Sequence, residues 1–150
     1  MPKKATPSDA DVILKLYDLR REPELRKARQ WWVNEFWPDT AEDVFAVMGA
    51  GGTQQNNWFR QVLGYWGIAT SFALNGAVSQ KLFLEPSFCG EMFVIFVKLK
   101  PFLKQMRERM GTGKFLKNVE DLIMSGKDSR AWLAVMENNV ARMKANRKPS

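Results

Sequence analysis

Between Arg60 and Lys81 the chain runs through twenty consecutive uncharged residues. Its larger side chains recur at helical spacing. Trp58, Val62, Tyr65, Ala69 and Phe72 fall along one side, and Phe59, Leu63, Trp66, Thr70 and Ala73 along the next. A third side is small, with Gly64, Gly67 and Ser71. A helix that is apolar or small all round belongs inside a bundle. The spacing therefore predicts a central helix from Gln54 to about Asn75, stopped by Gly76. The stretch is long enough to span a membrane. A span would be mostly Leu, Ile, Val and Phe, whereas Gln61, Thr70, Ser71, Asn75, Ser79 and Gln80 dilute this one. A core helix in water is expected, with no integral membrane span. Each glycine costs roughly 1 kcal/mol of helix propensity against alanine. Close approach by a neighbouring helix is the expected compensation.

Shorter amphipathic segments flank this rod. Ser8 is expected to cap a helix carrying Val12, Leu16 and Leu19. Pro23 suits the first position of the next, whose stripe is Leu25, Ala28, Trp32 and Phe36 until Trp37-Pro38 ends it. Thr40 caps a third, with Val44, Phe45, Val47 and Met48. After a turn at Ser79–Leu84, Ser87 is expected to cap a long helix to about Met110. Its seam is Met92, Phe96, Leu99, Leu103, Met106 and Met110, with Pro101 marking a kink or a break. Met92–Val97 also reads as a buried strand, but no second strand exists to pair with it. Phe115, Leu116, Val119, Leu122 and Ile123 form a short helix stopped by Gly126. Asp128 or Ser129 then caps a last one carrying Trp132, Met136, Val140 and Met143. At 150 residues, one domain spanning 1–150 is expected. It is an all-α, compact bundle of six to eight helices around the central apolar helix. Residues 1–8 and 145–150 should fray.

The chain has no histidine and one cysteine, Cys89. Histidine is the usual side chain titrating near neutrality and the commonest metal ligand. A lone cysteine makes neither a disulfide nor a zinc knuckle. It fits a reducing, cytoplasmic compartment, and in its apolar stretch it reads as an inert buried thiol. No cofactor and no metal is expected. Gly49-Ala50-Gly51-Gly52 lacks the dinucleotide-binding pattern. Gly111-Thr112-Gly113-Lys114 has Phe115 where a phosphate loop needs Ser or Thr. Glu35, Asp39, Glu42 and Asp43 cluster around Trp37-Pro38, and helix capping accounts for them better than a cation does. An enzyme working through carboxylates, Tyr17 or Tyr65 is a third-ranked reading.

Net charge is +7, all of it from residues 76–150. Lys98–Lys117 alone holds seven basic residues and one acid, Glu108. Lys100, Lys104 and Arg107 step by four and three onto one helix face. With Lys114 and Lys117 at a helix start, they are the candidate anion-binding residues. Nucleic acid or an anionic membrane surface is the partner this set implies. Charges set among apolar residues must be paired if buried, so Arg29 or Arg60 is expected to bond Glu91 or Glu120. Trp31, Trp37 and Trp58 are the tryptophans expected at the surface.

Pro23-Glu24-Leu25-Arg26-Lys27-Ala28-Arg29 resembles the "PE-x-R-x-AR" opening of a bacterial family of unknown function. Phe59–Trp66 with Gly76-Ala77-Val78, Leu99-Lys100-Pro101-Phe102 running into Arg107, and Phe115–Leu122 with Glu120 are similar to later segments of it. The resemblance spans most of residues 12–123. It implies a small helical protein, in a family whose members often carry an N-terminal membrane anchor. Met1–Asp11 is polar here, so no such anchor is expected. No catalytic residue comes with the resemblance. The leading functional expectation is a non-catalytic helical domain for protein interaction or scaffolding, self-associating or bound to a protein partner. Its motive is the number of Trp and Met residues on helical faces. The alternative is a basic-surface module that uses Lys98–Lys117.

Overall fold

Local hydrogen bonding at the helix ends sets the element boundaries. The structure is a computed structural model and describes residues 3–147. The expected fraying of the two ends falls partly on residues outside that range. Helix α1 (Pro7–Leu19) starts one residue before the expected Ser8 cap. Thr6 is the cap: its hydroxyl accepts the Asp9 N–H, and the Asp9 carboxylate accepts the Thr6 N–H. Such a reciprocal box satisfies two otherwise orphaned donors. The Glu22 carboxylate caps α2 (Pro23–Gln30) through the Leu25 N–H, with Pro23 in the first turn. Thr40 and Asp43 repeat the box for α3 (Ala41–Gly49).

Thr53 caps α4 (Gln54–Leu74), and Gly76 follows it with φ +78°, a left-handed angle that glycine adopts freely. A single turn, α5 (Gln80–Phe83), leads to α6 (Pro86–Leu99). Glu85, not Ser87, occupies the cap position of α6, because Pro86 already suits the first turn. Pro101 produces a break: a 3₁₀ turn, Lys100–Phe102, separates α6 from α7 (Leu103–Met110). Proline removes one backbone donor there and its ring crowds the preceding turn. Phe115 and Leu116 precede α8 (Lys117–Met124) instead of joining it, and Leu116 takes φ +56°. Helix α9 (Lys127–Asn146) has Gly126 at its cap position, and the Ser129 hydroxyl accepts the Gly126 N–H.

The described residues contain eight helices of two turns or more, the single turn α5, and no strand. Helix α4 packs against α2, α3, α8 and α5, and buries Phe59, Val62, Trp66, Ala69, Thr70 and Ala73. Helix α6 shares the centre. It packs against α8 and α9 and buries Phe88, Cys89, Met92–Phe96, Lys98 and Leu99. The seam continues through Leu103 and Met106 and runs out at the exposed Met110.

Two packing expectations are corrected. Among the described residues, a side-chain carbon at Gly64 or Gly67 would meet nothing within 4 Å, so nothing packs tightly against the small face of α4, and Ile68 beside it is 60% exposed. Trp31 is buried rather than exposed. The reason is a π-turn, Trp31–Glu35, closed by the Phe36 N–H on the Trp31 carbonyl. The wider turn brings Trp31 inward onto Phe36, with ring centres 4.7 Å apart, and Trp32 onto Phe59 at 5.0 Å. Trp32 and Trp66 are also buried, while Trp37, Trp58 and Trp132 are half-buried. The six tryptophans belong to the core and its edge.

Candidate functional site

Four of the five basic residues singled out, Lys100, Lys104, Arg107 and Lys117, line one cleft. It is about 690 Å³ and lies between α6–α7 on one side and α8–α9 on the other. Its floor is apolar: Phe96 from α6, Leu103 from α7, Met124 from α8 and Leu133 from α9. Lys100 from the 3₁₀ turn and Lys104 and Arg107 from α7 stand along one rim. Lys117, Glu120 and Asp121 of α8 form the opposite rim, and Glu108 lies one turn beyond Lys104. Lys114 sits apart. It lines a neighbouring depression between α4 and the start of α8, together with Gly64, Gly67 and Lys117.

Carboxylates answer most of these cations. Lys100 Nζ lies 2.6 Å from Glu137. Arg107 Nε donates to the Phe115 carbonyl at 3.0 Å, and Nη1 reaches Glu120 at 3.3 Å. Lys117 bonds Asp121 at 2.9 Å and Glu120 at 3.2 Å. Those two carboxylates raise the Lys117 pKa, Asp121 the more. Among the described residues, Lys104, Glu108 and Lys114 make no ion pair. The rim is therefore mixed in sign and largely neutralised, which weakens the case for a phosphate track. Lys98 does not belong to this face at all, because its side chain is buried.

Arg29 Nε donates to Glu91 at 2.7 Å, and the other Glu91 oxygen accepts the Trp66 indole N–H at 3.0 Å. This ties α2, α4 and α6 together. Glu120 instead serves Arg107 and Lys117. Arg60 is exposed on the outer side of α4; among the described residues it reaches Asn57, one turn back, and forms no buried pair. The acidic cluster is dispersed among separate tasks: Asp43 caps α3, Asp39 pairs with Lys144, and Glu42 pairs with Arg109. Among the described residues no group of three or more acidic, cysteine or histidine side chains is placed to hold a metal ion. Burial pushes the Cys89 thiol up to about 12.

Two buried cations escaped the sequence reading. Arg20 follows α1, four residues after the buried Leu16, and so lies on its inward stripe. Its guanidinium is ringed by Tyr17, Tyr65, Trp66 and Phe88 at 4.8–5.8 Å. Tyr65 in turn donates to the Leu16 carbonyl, and burial raises its pKa. Lys98 interrupts the apolar run of α6. Its ammonium donates to the carbonyls of Trp32, Val33 and Phe36, closing the end of the π-turn, and lies 3.5 Å from the Trp37 ring centre. For Lys98 the available signal was a charge set between Val97 and Leu99, and for Arg20 it was the helical spacing from Leu16.

Fold and cleft together define a small all-helical domain with a mixed-charge groove and a buried polar layer. The chain belongs to the family described as Domain of unknown function, DUF4760, which it matches over residues 5–125. No curated protein and no solved structure matches it. No helix among the described residues is long and apolar enough to cross a membrane.

Proposed function

We propose that the chain is a helical protein-interaction domain that self-associates through the α6–α9 cleft. The observation that carries this reading is the pair left unanswered on the rim. Lys104 and Glu108 sit one turn apart on α7, each without an ion-pair partner among the described residues. Two α7 helices laid antiparallel about a twofold axis at the level of Met106 would set Lys104 of one copy against Glu108 of the other, twice. Such self-complementarity is what an isologous contact requires. The apolar floor and the half-exposed Met124 and Met110 supply area for such a contact. The paired rim argues against the basic-surface alternative, since charges already neutralised release few counterions.

Sedimentation or light scattering on the purified chain, at low and high salt, tests the proposal. Self-association persisting at high salt is expected. Lys104→Glu should weaken it about fivefold, on the order of 1 kcal/mol. The swap Lys104→Glu with Glu108→Lys should restore it. A monomer at every concentration overturns the reading. So does binding to duplex DNA or anionic vesicles that fades steeply with salt and is lost in Lys104→Glu.

A further inference from the structure

The guanidinium of Arg20 is buried without a carboxylate. Its side chain is 7% exposed, and among the described residues it makes no ion pair. The nearby carboxylate, Glu91, is already used by Arg29 and Trp66. What holds Arg20 is an aromatic box. The Trp66 ring centre lies at 4.9 Å, Phe88 at 4.8 Å and Tyr65 at 5.8 Å. The negative faces of such rings attract a cation, the more so away from water. Two acceptors complete the box. Arg20 Nη2 donates to the Phe88 carbonyl at 2.5 Å, and Nε donates to the Tyr65 hydroxyl at 3.3 Å. A flat cation with N–H donors in its plane satisfies rings and acceptors together. A quaternary ammonium has no donor, and a lysine ammonium has no face to stack.

The box and its occupant belong to different parts of the fold. Tyr65 and Trp66 are on α4 and Phe88 is on α6, both central. Arg20 hangs from α1, which lies at the edge of the bundle: Asp9 and Leu16 are buried and Val12 and Ile13 are half-buried against the core, while Leu14 and Leu19 are 64% and 55% exposed. An element with so few buried apolar contacts opens at low cost. A short turn, Arg20–Glu22, joins it to α2.

We propose that Tyr65, Trp66 and Phe88 form a receptor for a guanidinium group, filled in cis by Arg20 and opened to an arginine of a partner protein when α1 lifts away. This site is separate from the α6–α9 cleft, so the two readings stand or fall independently. Helix α1 then acts as a plug that sets the threshold for entry: an incoming arginine must outcompete a tethered one.

Hydrogen exchange on the full chain tests it, with a capped peptide of residues 14–22 as probe and its counterpart carrying both Arg20→Ala and Arg21→Ala as control. The arginine peptide should speed exchange of the α1 amides while those of α4 and α6 stay protected, and the control peptide should not. Equal effects of both peptides, or no effect of either, overturn the proposal. A second arm uses Arg20→Ala in the full chain. Its Tm should fall by about 5–10 °C, and methylguanidinium should recover part of that loss while tetramethylammonium does not. An equal response of wild type and variant to methylguanidinium overturns the receptor. The peptide arm needs no variant, so a misfolded Arg20→Ala leaves the test intact.

Discussion

A buried lysine whose three N–H bonds are all taken by backbone carbonyls holds its proton under two opposed influences. Burial, helped by the positive charge of Arg147, pushes the Lys98 pKa down to about 7. The carbonyls of Trp32, Val33 and Phe36, and the face of Trp37, favour the ammonium. With the folded value below the ordinary 10.5, the unfolded chain keeps a proton that the folded chain has shed between those two pH values. Stability then climbs as pH rises through that window and levels off on either side. Denaturant unfolding of wild type and Lys98→Met at pH 6 to 10 isolates the effect. The difference between them should move in favour of wild type with rising pH, and a flat difference would contradict the sign. At pH 6, where the ammonium donates to all three carbonyls, the variant should lose about 1–3 kcal/mol for each carbonyl left stranded. Residue-scale features are the least legible in the sequence. The Arg29–Glu91 pair follows from the rule that buried charges need partners, yet that rule does not choose between Arg29 and Arg60. The choice rests on which side of α2 and α4 meets α6. Lys98 stands inside a basic run and reads as surface, because composition carries no direction.

Elements are easier to read, since caps and breakers act through neighbours a few residues apart. Thr40, Thr53, Ser79, Gly76 and Pro101 do locally what their chemistry dictates. The π-turn has no comparable signal. It depends on Lys98, sixty-odd residues away, to satisfy the carbonyls that it leaves open. The open face of α4 misleads for a related reason: small residues permit a close neighbour without summoning one. Because a methyl group at Gly64 or Gly67 meets nothing within 4 Å, alanine should help and not hurt there. Gly64→Ala and Gly67→Ala should each add about 1 kcal/mol of stability, raising Tm by roughly 2–4 °C each by calorimetry. A loss of stability in either variant would mean that a neighbour does pack there.

At the scale of the whole molecule, the uncharged segment after Arg60 announces a bundle, and a bundle forms around it. The sharing of the centre with α6 is less visible, because its seam reads as one side of a surface helix until α9 is laid over it. The match to the family ends at residue 125, just before α9 begins. Helix α9 nonetheless packs on α6 and α8 and buries Leu133, Met136 and Val140. Cutting the chain after Gly126 should therefore bare the outer side of α6 and produce a species that binds hydrophobic dyes and loses near-ultraviolet dichroism while keeping most of its helix. Full-length and shortened chains that behave alike would refute this. The last helix is in effect a lid supplied by the chain to itself. The frame before it is thus finished by a segment that the family match does not reach.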